Sequence, residues 1–473
     1  MSIADLFHGI GGSLPRKLQR QVLDIQNNNL IIESMEALVR QAQKDRIRFV
    51  DLWFTDLLGS VKNVTISVKE LKKSLDEGIW FDGSSIEGFG RICESDMYLV
   101  PDPDTYAVIP WSEKDTRTVR LICDVYAPDH KPFTGDPRST LKKIIRMAEG
   151  KNYSYKVGPE LEFFIFRISN GAIRPSPFDS VGYFDLGGDR ALSIRKGISN
   201  LLTHFNINAE ASHHEVAKGQ HEIDIQYNDV LKIADDIVTT RIAVKKVAEE
   251  NNLIATFMPK PIYGINGSGM HIHQSIFKGK KNLFAQPKDH YGLSELAYSF
   301  LAGQLKYIKE MTAILAPLVN SYKRLVPGYE APVYICWGQM NRSALVRIPK
   351  ISLGKTTSTR LEIRCLDPAT NPYLAFAVML ATGLEGIRQR LKPPGPVEES
   401  VYEFTESDFR RLKIDALPGS LLEALVYFQK SKLMREVLGD HLFTKYYAIK
   451  RREWDEYRQQ VTNWEIEKYL KLY

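Results

Sequence analysis

The sequence predicts an α+β protein, with a small strand-rich domain near the N-terminus and a larger domain of alternating strands and helices after it. Two observations carry this prediction. Residues 46–135 hold several short apolar runs with partial alternation, whereas the chain beyond them contains long helical patterns. Four later segments carry chemically active side chains at every second position, with apolar residues between them. Such two-faced strands fit a curved sheet whose concave face lines a polar cavity.

The small domain is predicted from short patterns that either alternate or repeat with helical spacing. A turn follows the first strand at residues 54–59 and leads directly into the second. In chain order the predicted elements are one or two helices over 17–45, strands over Ile47–Phe54 and Val61–Val68, a helix over Leu71–Gly78 and a strand over Thr118–Val125.

The segment Pro128–Pro137 is rich in Pro, Gly and Asp and is the best domain boundary. We therefore divide the chain into an N-terminal extension (1–32), the small domain (33–135) and the larger domain (136–473). Helices of the larger domain are predicted at 139–149, 193–205, 229–250, 292–315, 371–391, 421–437 and 451–469.

Composition limits the possible functions. The 473 residues include 44% hydrophobic and 25% charged residues, which is typical of a folded globular protein. A net charge of +6 without a long basic block argues against nucleic-acid binding. Four cysteines without a Cys-X-X-Cys pair argue against a zinc ribbon or a disulfide framework and fit the cytoplasm. The chain lacks a signal-peptide pattern and an apolar run of the ~20 residues that cross a membrane, so we expect neither export nor a membrane span.

Two of the four polar-faced strands carry glutamates. In Gly158–Phe166 the residues Glu160 and Glu162 share one face, and in 211–227 Glu222 begins an alternation with isoleucines. Glu215 precedes a Lys-Gly turn, so a hairpin would bring it back beside Glu222. A solvated strand edge is the plain alternative for each segment taken alone.

The other two strands carry histidines and arginines. A glycine-rich loop from Gly264 leads into a strand whose His271, His273 and Ser275 share a face, and glycines allow close backbone approach to a ligand. The last strand, 359–365, alternates Arg360, Glu362 and Arg364 with apolar residues. A zinc fragment or a surface ion-pair ladder would explain either strand alone, but all four together favour one polar cavity.

The cavity predicted in this way has the chemistry of a divalent-metal site. Carboxylates with one imidazole form a hard ligand set that favours Mg²⁺ or Mn²⁺ over a closed zinc site, and nearby arginines suit phosphate and carboxylate. The chain has no Walker A motif, so a nucleotide would need another cradle. The residues alone thus indicate a metal-dependent enzyme acting on phosphates and carboxylates. The candidate ligands are Glu160, Glu162, Glu215, Glu222, His271 and Glu362, and the arginines are Arg324, Arg342, Arg347, Arg360 and Arg364.

These segments, in this order, resemble the type I glutamine synthetases over roughly residues 33–473. The resemblance implies a small β-grasp domain, a larger catalytic domain whose curved antiparallel sheet forms a funnel, and a dodecamer of two hexameric rings with active sites shared between neighbours. The matching motifs are Phe54-Thr-Asp-Leu-Leu-Gly59, Phe81-Asp-Gly-Ser-Ser-Ile-Glu-Gly-Phe89, Gly158-Pro-Glu-Leu-Glu162, His213-His-Glu-Val-Ala217, Asn266-Gly-Ser-Gly-Met-His271, Asn320–Pro332, Asn341-Arg-Ser343 and Arg360-Leu-Glu-Ile-Arg364.

The resemblance also implies roles for residues. One metal would be held by Glu162, Glu215 and Glu222, and the other by Glu160, His271 and Glu362. Glutamate would be bound by Asn266, Gly267, Arg324 and Arg364, and the phosphates would be neutralised by Arg342 and Arg347. Further ATP contacts would come from Glu210, Tyr227, His273, Ser275, Lys355 and Arg360.

The implied reaction has two steps, with two Mg²⁺ or Mn²⁺ per site and ATP as co-substrate. The glutamate carboxylate attacks the γ-phosphate of ATP to give γ-glutamyl phosphate, and ammonia then displaces phosphate to give glutamine. Asp56 of the neighbouring subunit would bind ammonium, and Glu330 would close over the intermediate from a flap. A γ-glutamyl-amine ligase and a catalytically inactive relative remain the alternatives, although Asp56 and Glu330 both suit ammonium.

Two regulatory expectations follow from the same resemblance. The segment 87–96 resembles the feedback-inhibited subgroup, whose arginine here would be Arg91. Tyr402 lies where some members carry an adenylylated tyrosine, but its surroundings differ, so we expect no adenylylation.

Overall fold

The structure is a computed structural model, and it describes residues 35–84, 86, 88, 96–167, 177–352 and 354–473. These residues form two compact units. The first contains the described residues up to Trp53 together with Asn63–Ile79 and Leu99–Cys123. The second contains Phe54–Lys62, the described residues from Trp80 to Tyr98, and the chain from Asp124 onward. The predicted extension 1–32 and Arg91 lie outside the described residues.

In the first sheet of the chain, β1 (Phe49–Thr55) lies between β2 (Val61–Ser67) and β6 (Thr118–Tyr126), and β4 (Asp96–Pro101) flanks β6 on the other side. β1 runs parallel to β6, with Phe49 opposite Thr118 and Trp53 opposite Ile122. The predicted strands and the short helix of this region are confirmed, with ends displaced by one or two residues. The elements up to residue 126 are α1 (35–44), β1 (Phe49–Thr55), β2 (Val61–Ser67), α2 (Leu71–Glu77), β3 (Ile79–Asp82), β4 (Asp96–Pro101), β5 (Ala107–Val108) and β6 (Thr118–Tyr126).

The second unit is built on a ten-stranded sheet covered by long helices. Its strands are β7 (Ser154–Arg167), β8 (Ala209–His214), β9 (Gln220–Ile225), β10 (Asn228–Asp229), β11 (Leu253–Thr256), β12 (Met270–Lys278), β13 (Lys281–Asn282), β14 (Trp337–Gly338), β15 (Val346–Arg347) and β16 (Leu361–Ile363). Its helices are α3 (Pro137–Glu149), α4 (Leu192–Thr203), α5 (Val230–Glu250), α6 (Glu295–Leu315), α7 (Ser321–Arg324), α8 (Pro372–Gln389), α9 (Glu406–Leu412), α10 (Leu421–Lys430), α11 (Lys432–Leu438), α12 (Asp440–Tyr457) and α13 (Asn463–Tyr469).

The main path of this sheet runs β14-β15-β16-β12-β7-β9-β8, and every pairing along it is antiparallel except β14 with β15. The predicted antiparallel sheet of the larger domain is confirmed. Antiparallel sheets can bury one face and leave the other open to solvent or ligand, which matches the alternation in the four strands.

The helical layer is held by a close backbone crossing between α6 and α8. A Cβ on Gly303 would lie 2.8 Å from Gly386 Cα and 2.2 Å from Thr382 O, so this crossing requires glycine. The residues of α8 from Pro372 to Leu384 are all buried, which explains why the sequence there is apolar on every side.

Two predicted helices are each divided in the structure. The helix predicted over 421–437 is interrupted at Ser431, whose extended backbone (ψ 115°) ends α10 and whose side chain accepts from Met434 N to begin α11. The helix predicted over 451–469 is interrupted before Thr462, which forms a capping box with Glu465. Within the described part of the chain, no helix has both the length and the apolarity to cross a membrane.

Candidate active site

Strand register aligns the polar side chains in rows across the sheet. One row joins His213 of β8, Glu222 of β9 and Glu162 of β7, since these residues face each other in the two ladders. The next row joins Asp224, Glu160 and His271 across β9, β7 and β12. A third joins Arg347, Glu362 and His273 across β15, β16 and β12. The alternation in each strand predicted the polar face, but the rows across the sheet depend on strand register, which the pattern of a single strand does not give.

The predicted second metal group comes together as expected. Glu160, His271 and Glu362 offer ligand atoms that lie within 4.8 Å of one another. His271 Nδ1 donates to Glu160 Oε2 at 2.8 Å, which leaves the Nε2 lone pair free. A histidine whose other nitrogen is held by a carboxylate is a common arrangement for a metal ligand. Glu362 also pairs with Arg347 at 2.8 Å and Arg364 at 3.1 Å.

The predicted first metal group is split between two overlapping clusters that share Glu222. One contains Glu162, Glu222 and His271, and the other contains His213, Glu215 and Glu222. The predicted hairpin is confirmed, because Glu215 N donates to Gln220 O at 2.8 Å and so closes the turn between β8 and β9. His213, which the sequence did not single out, pairs with Glu222 at 3.0 Å.

The pKa values of three of these carboxyl groups are raised, so without a cation they favour the protonated form. Burial, and then the charges of Glu162 and Glu160, raise the pKa of Glu222 to about 12. Burial and Glu162 raise the pKa of Glu215 to about 8, and burial raises that of Glu162 to about 7. Burial opposes ionisation of Glu160 too, but hydrogen bonds from His271 and His273 outweigh it and lower its pKa. Two divalent cations would supply the missing positive charge.

Glu162 is held in place by groups that use only one of its oxygens. Its Oε2 accepts from Gln220 Nε2 at 2.7 Å and from Gly269 N at 3.0 Å. Gln220 is buried and also donates to Gly267 O at 3.2 Å. The other oxygen, Oε1, lies 3.9 Å from His271 Nε2. This arrangement presents Oε1 to the same space as the histidine lone pair.

The loop 264–269, here termed the glutamate loop after the ligand predicted for Asn266 and Gly267, lies beside the candidate metal ligands. The site cavity of about 690 Å³ is lined by Asn266, Gly267, Arg324 and Arg364, the four residues predicted to bind glutamate. Arg364 Nη1 is buried and makes no hydrogen bond within the described residues. Arg324 instead donates to three backbone carbonyls, those of Arg364, Cys365 and Leu366, at 3.0–3.2 Å.

Residues 326–332, here termed the flap, form the other wall of this cavity. Glu330 Oε2 accepts from Asn266 Nδ2 at 3.0 Å. The φ of Glu330 is 58°, a left-handed conformation that is uncommon for a residue other than glycine. Arg342 and Arg347, the predicted phosphate-neutralising arginines, line the same cavity.

A second cavity of about 350 Å³ adjoins the first, and both are lined by Glu160 and Asp224. His273 Nδ1 accepts from Arg360 Nε at 3.2 Å, so its Nε2 donates to Glu160 Oε1 at 2.7 Å. Lys355 is exposed and does not line this cavity, although Thr357 and Ser358 do. Five of the predicted ATP contacts line it, namely Glu210, Tyr227, His273, Ser275 and Arg360.

Asp56 lies apart from both cavities of its own chain. It is buried in the turn after β1, where Oδ1 accepts from Leu58 N at 3.0 Å and from Ser60 N at 2.9 Å. Lys62 pairs with its other oxygen at 3.2 Å. Its predicted contribution to a neighbouring subunit's site stays a prediction.

The structure adds site residues that sequence reasoning missed. Asp224 lines both cavities; the alternation that begins at Glu222 put it on the polar face, but no role was assigned to it. Tyr183, in a turn, and Tyr402, in the single-turn helix Val401–Glu403, line the larger cavity from segments too short for periodicity to indicate them. Tyr402 donates to Ala331 O of the flap at 2.8 Å.

A further cluster, Asp179 with His214 and His221, is close enough to hold a metal. Its hydrogen bonds argue against that use. Arg195 donates to His221 Nδ1 at 3.0 Å, so the lone pair of that ring is taken. His214 donates through Nδ1 to Glu215 O and contacts Asp179 through Nε2 at 2.7 Å. The cluster supports the hairpin that carries Glu215 and Glu222.

Comparison with known proteins agrees with this geometry. Residues 134–469 match the family model described as the glutamine synthetase catalytic domain, and residues 46–128 match the glutamine synthetase beta-grasp domain. The chain is 48% identical to a glutamine synthetase of Clostridium saccharobutylicum over 440 residues, covering 93% of this chain and 99% of the relative. It is 48% identical to a glutamine synthetase of Thermotoga maritima over 441 residues, covering 93% and 100%.

Solved structures show the same fold. A structure titled "GmaS/ADP complex-Conformation 1" superposes with a TM-score of 0.83 at 32% identity and covers 92% of this chain and 99% of its own. The cryo-EM structure of Plasmodium falciparum glutamine synthetase superposes with a TM-score of 0.84 at 27% identity and covers 93% and 98%.

Proposed function

The chain belongs to the glutamine synthetase family, and from that premise we propose that its two adjoining cavities bind ATP and glutamate on either side of the carboxylate rows. The activity is that of a glutamate–ammonia ligase. The observation that carries the proposal is the shared wall of the two cavities, Glu160 and Asp224. A γ-phosphate and a glutamate side chain would meet at this wall.

ATP would occupy the smaller cavity. Arg360 and His273 offer charged and polar contacts there, and the exposed ring of Tyr227 offers a flat surface to a base. Arg347, which lines the larger cavity next door, would neutralise charge as the phosphoryl group moves. Lys355 stands just before the turn 356–358 that borders the cavity, and its contact with ATP stays a prediction.

Two Mg²⁺ or Mn²⁺ ions fit the described carboxylates. Glu160, His271 and Glu362 would hold one ion. Glu162, Glu215 and Glu222 would hold the other, with Glu222 as the residue shared by the two candidate clusters that contain Glu162 and Glu215. The raised pKa values of Glu215 and Glu222 support this proposal, since buried carboxylates without a cation favour the protonated form. When bound, the ions supply positive charge that stabilises the transferred phosphoryl group.

Glutamate would lie between the glutamate loop and Arg364. The unpaired Nη1 of Arg364 supports a carboxylate contact, because a buried guanidinium donor without a partner is costly until a ligand meets it. The packing of this loop requires glycine at Gly267, as a Cβ there would lie 2.3 Å from Pro259 O. Arg324 would act partly by fixing the backbone at 364–366.

The side chains of this chain would then carry the two steps in order. The glutamate carboxylate attacks the γ-phosphate of ATP, which forms γ-glutamyl phosphate and releases ADP. Ammonia attacks the acyl carbon, phosphate leaves, and Glu330 takes a proton from the adduct while the flap keeps water away. Asp56 of a neighbouring subunit would bind the ammonium, in a homo-oligomer of the dodecameric type with shared sites.

Two regulatory and cellular points belong to the same proposal. Glutamine would inhibit the enzyme directly through Arg91. Comparing wild type with Arg91→Ala at millimolar glutamine tests this, and equal residual activity in both proteins would refute it. The sparse cysteines and the family's substrates support a cytoplasmic site of action.

The main experiment measures phosphate release from ATP with glutamate and Mg²⁺, comparing ammonium with putrescine, ethanolamine and no amine. Release that requires ammonium, with glutamine as product, is the expected result. Release that requires an organic amine would instead assign the chain to the γ-glutamyl-amine ligases. No release with Mg²⁺ or Mn²⁺ would identify a catalytically inactive relative.

A further inference from the structure

Three consecutive flap residues are each held by a side chain from a different segment. The Tyr329 ring lies under Lys260, with Nζ 3.8 Å from the ring centroid. Glu330 accepts from Asn266 at 3.0 Å. Ala331 O accepts from the Tyr402 hydroxyl at 2.8 Å. The flap is therefore attached at three points, and only the Glu330 contact belongs to residues already given a role.

Lys260 is itself fixed before it meets the flap. Its backbone N donates to Asn320 Oδ1 at 2.7 Å, and its carbonyl accepts from Asn320 Nδ2 at 3.0 Å. The residue is 9% exposed, and Nζ also donates to Ile265 O in the glutamate loop. A rigid lysine in this position contacts the glutamate loop and the flap with one ammonium group.

The stem of Lys260 also lies beside Gly267 of the proposed glutamate site. A Cβ on Gly267 would lie 3.2 Å from Lys260 Cδ and equally close to Arg324 Cγ. The lysine ammonium has one carbonyl, Ile265 O, and one aromatic face, Tyr329, as its contacts. Burial and the neighbouring Arg324 lower the pKa of Lys260, and the Tyr329 face returns attraction to the cation.

We propose that Lys260 is a positioning residue that locks the flap onto the glutamate loop, so that glutamate affinity and the exclusion of water both depend on its contact with Tyr329. The proposal rests on the ligase function stated above. Without the lock, the flap opens more often during the lifetime of the acyl phosphate. Water then attacks that intermediate, which regenerates glutamate and releases phosphate without forming glutamine.

The alternative is that Lys260 only stabilises the glutamate loop, through its hydrogen bond to Ile265 O. The two roles differ at Tyr329, because stabilising the loop does not require the ring of this flap residue. Tyr329→Leu removes the ring face, whereas Tyr329→Phe retains it and deletes only the hydroxyl. Tyr329 is partly exposed, so neither change endangers the fold.

The experiment compares Tyr329→Leu, Tyr329→Phe, Lys260→Met and the Lys260→Met/Tyr329→Leu double variant. Lys309→Met is the matched control, because Lys309 also lies over a tyrosine, Tyr427, at 5.2 Å, but outside both cavities. The readouts are the KM for glutamate, the ratio of phosphate released to glutamine formed, and thermal unfolding. The wild type sets the reference in the same assay.

We expect Tyr329→Leu and Lys260→Met each to raise the KM for glutamate roughly threefold or more, as the loss of one partly buried cation–π contact would. Both should also raise the ratio of phosphate to glutamine, while Lys309→Met matches the wild type and Tyr329→Phe, which keeps the ring, shows a clearly smaller change than Tyr329→Leu. The double variant should be no worse than Lys260→Met alone, because the two residues act through one contact.

A wild-type KM for glutamate and a wild-type ratio of phosphate to glutamine in Tyr329→Leu would overturn the proposal. Fully additive effects in the double variant would do the same, and either result would mean that Lys260 only supports the glutamate loop. Should Lys260→Met fail to fold, Tyr329→Leu against Tyr329→Phe still decides the matter. A wild type that makes no glutamine from ammonium would refute the proposed function itself, which is a different result from a normal wild type with unaffected flap variants.

Discussion

Asn266 donates a hydrogen bond to Glu330, with a distance of 3.0 Å between Nδ2 and Oε2. The first residue belongs to the glutamate loop and the second to the flap, so one contact joins the proposed substrate site to the proposed proton acceptor. Glu330 reaches it with a left-handed backbone, φ 58°. Strain of this kind persists where the surroundings hold the residue, and it often accompanies function.

Replacing Glu330 should separate flap geometry from proton transfer. Glu330→Gln keeps an oxygen that can accept from Asn266 but removes the carboxylate, so we expect a large fall in kcat with an almost unchanged KM for glutamate. Glu330→Gly removes the backbone strain and the contact, so it should raise the KM as well. Steady-state kinetics on both variants check this, and equal kcat in Glu330→Gln and wild type would exclude Glu330 as the base.

Removing one buried carboxylate should weaken metal stabilisation without harming the metal-free fold. We expect Glu222→Gln to unfold, in the presence of a chelator, at the same temperature as wild type or higher, because a neutral amide avoids the cost of protonating a carboxylate that is buried beside Glu162 and Glu160. Saturating Mg²⁺ or Mn²⁺ should raise the Tm of wild type by several degrees and that of the variant by much less. Thermal unfolding with and without metal measures both effects.

The metal-free protein should become less stable as pH rises from 5 to 8. The pKa values of Glu162 and Glu215 are raised to about 7 and about 8, so the folded state holds more protons than the unfolded state above the ordinary glutamate value. Their contribution is fully present below that value and is lost as pH rises towards 8. Unfolding in chelator should therefore become easier from pH 5 to 8, and metal affinity should increase over the same range. A metal-free stability that rises with pH in this window would contradict the assignment.

Substituting the two arginines of the proposed glutamate site should have different effects, one on the KM for glutamate and the other on stability. Arg364→Lys should raise the KM for glutamate at least tenfold, because the lysine ammonium can keep the ion pair with Glu362 but lacks the Nη1 donor that is left for the ligand. Arg324→Lys should instead destabilise the fold by about 2–4 kcal/mol, since the guanidinium holds three carbonyls. Chemical denaturation and glutamate titration on both variants separate these outcomes.

ATP binding should depend on the smaller cavity and little on its exposed neighbour. We expect Tyr227→Ala to raise the KM for ATP several-fold while the KM for glutamate stays unchanged, because Tyr227 lines only that cavity. Lys355→Ala serves as the comparison. An equal rise in the KM for ATP with Lys355→Ala would mean that the turn 356–358 brings this lysine to bound ATP.

The crossing of α6 and α8 should not tolerate a methyl group. Gly303→Ala would place Cβ 2.2 Å from Thr382 O, so the helices must separate, at a cost of about 1–3 kcal/mol or more. Gly187→Ala, which meets no atom within 4 Å, is the matched control and should change stability little. Denaturant midpoints for both proteins test the prediction.

The sequence by itself determined the fold class and most of the ligand set. Alternation at Glu160–Glu162 and at Arg360–Glu362–Arg364 fixed which side chains share a face, because a strand has a period of two. The Lys218-Gly219 turn fixed the return of Glu222 towards Glu215, since a tight turn restricts register. Helical periodicity predicted continuous helices across Ser431 and Thr462. That prediction was wrong, because the side chains of these two residues cap the start of new helices.

Only the tertiary structure decided which rows these strands form and which neighbours each side chain meets there. Ladder register, set by contacts between distant segments, placed His213 against Glu222 and Glu362 against Arg347. A turn, a bend and one single-turn helix brought Tyr183, Tyr329 and Tyr402 to the cavity, and segments this short carry no periodic signal. The raised pKa of Glu222 likewise comes from burial among neighbours, a property of the assembled sheet and of no single strand.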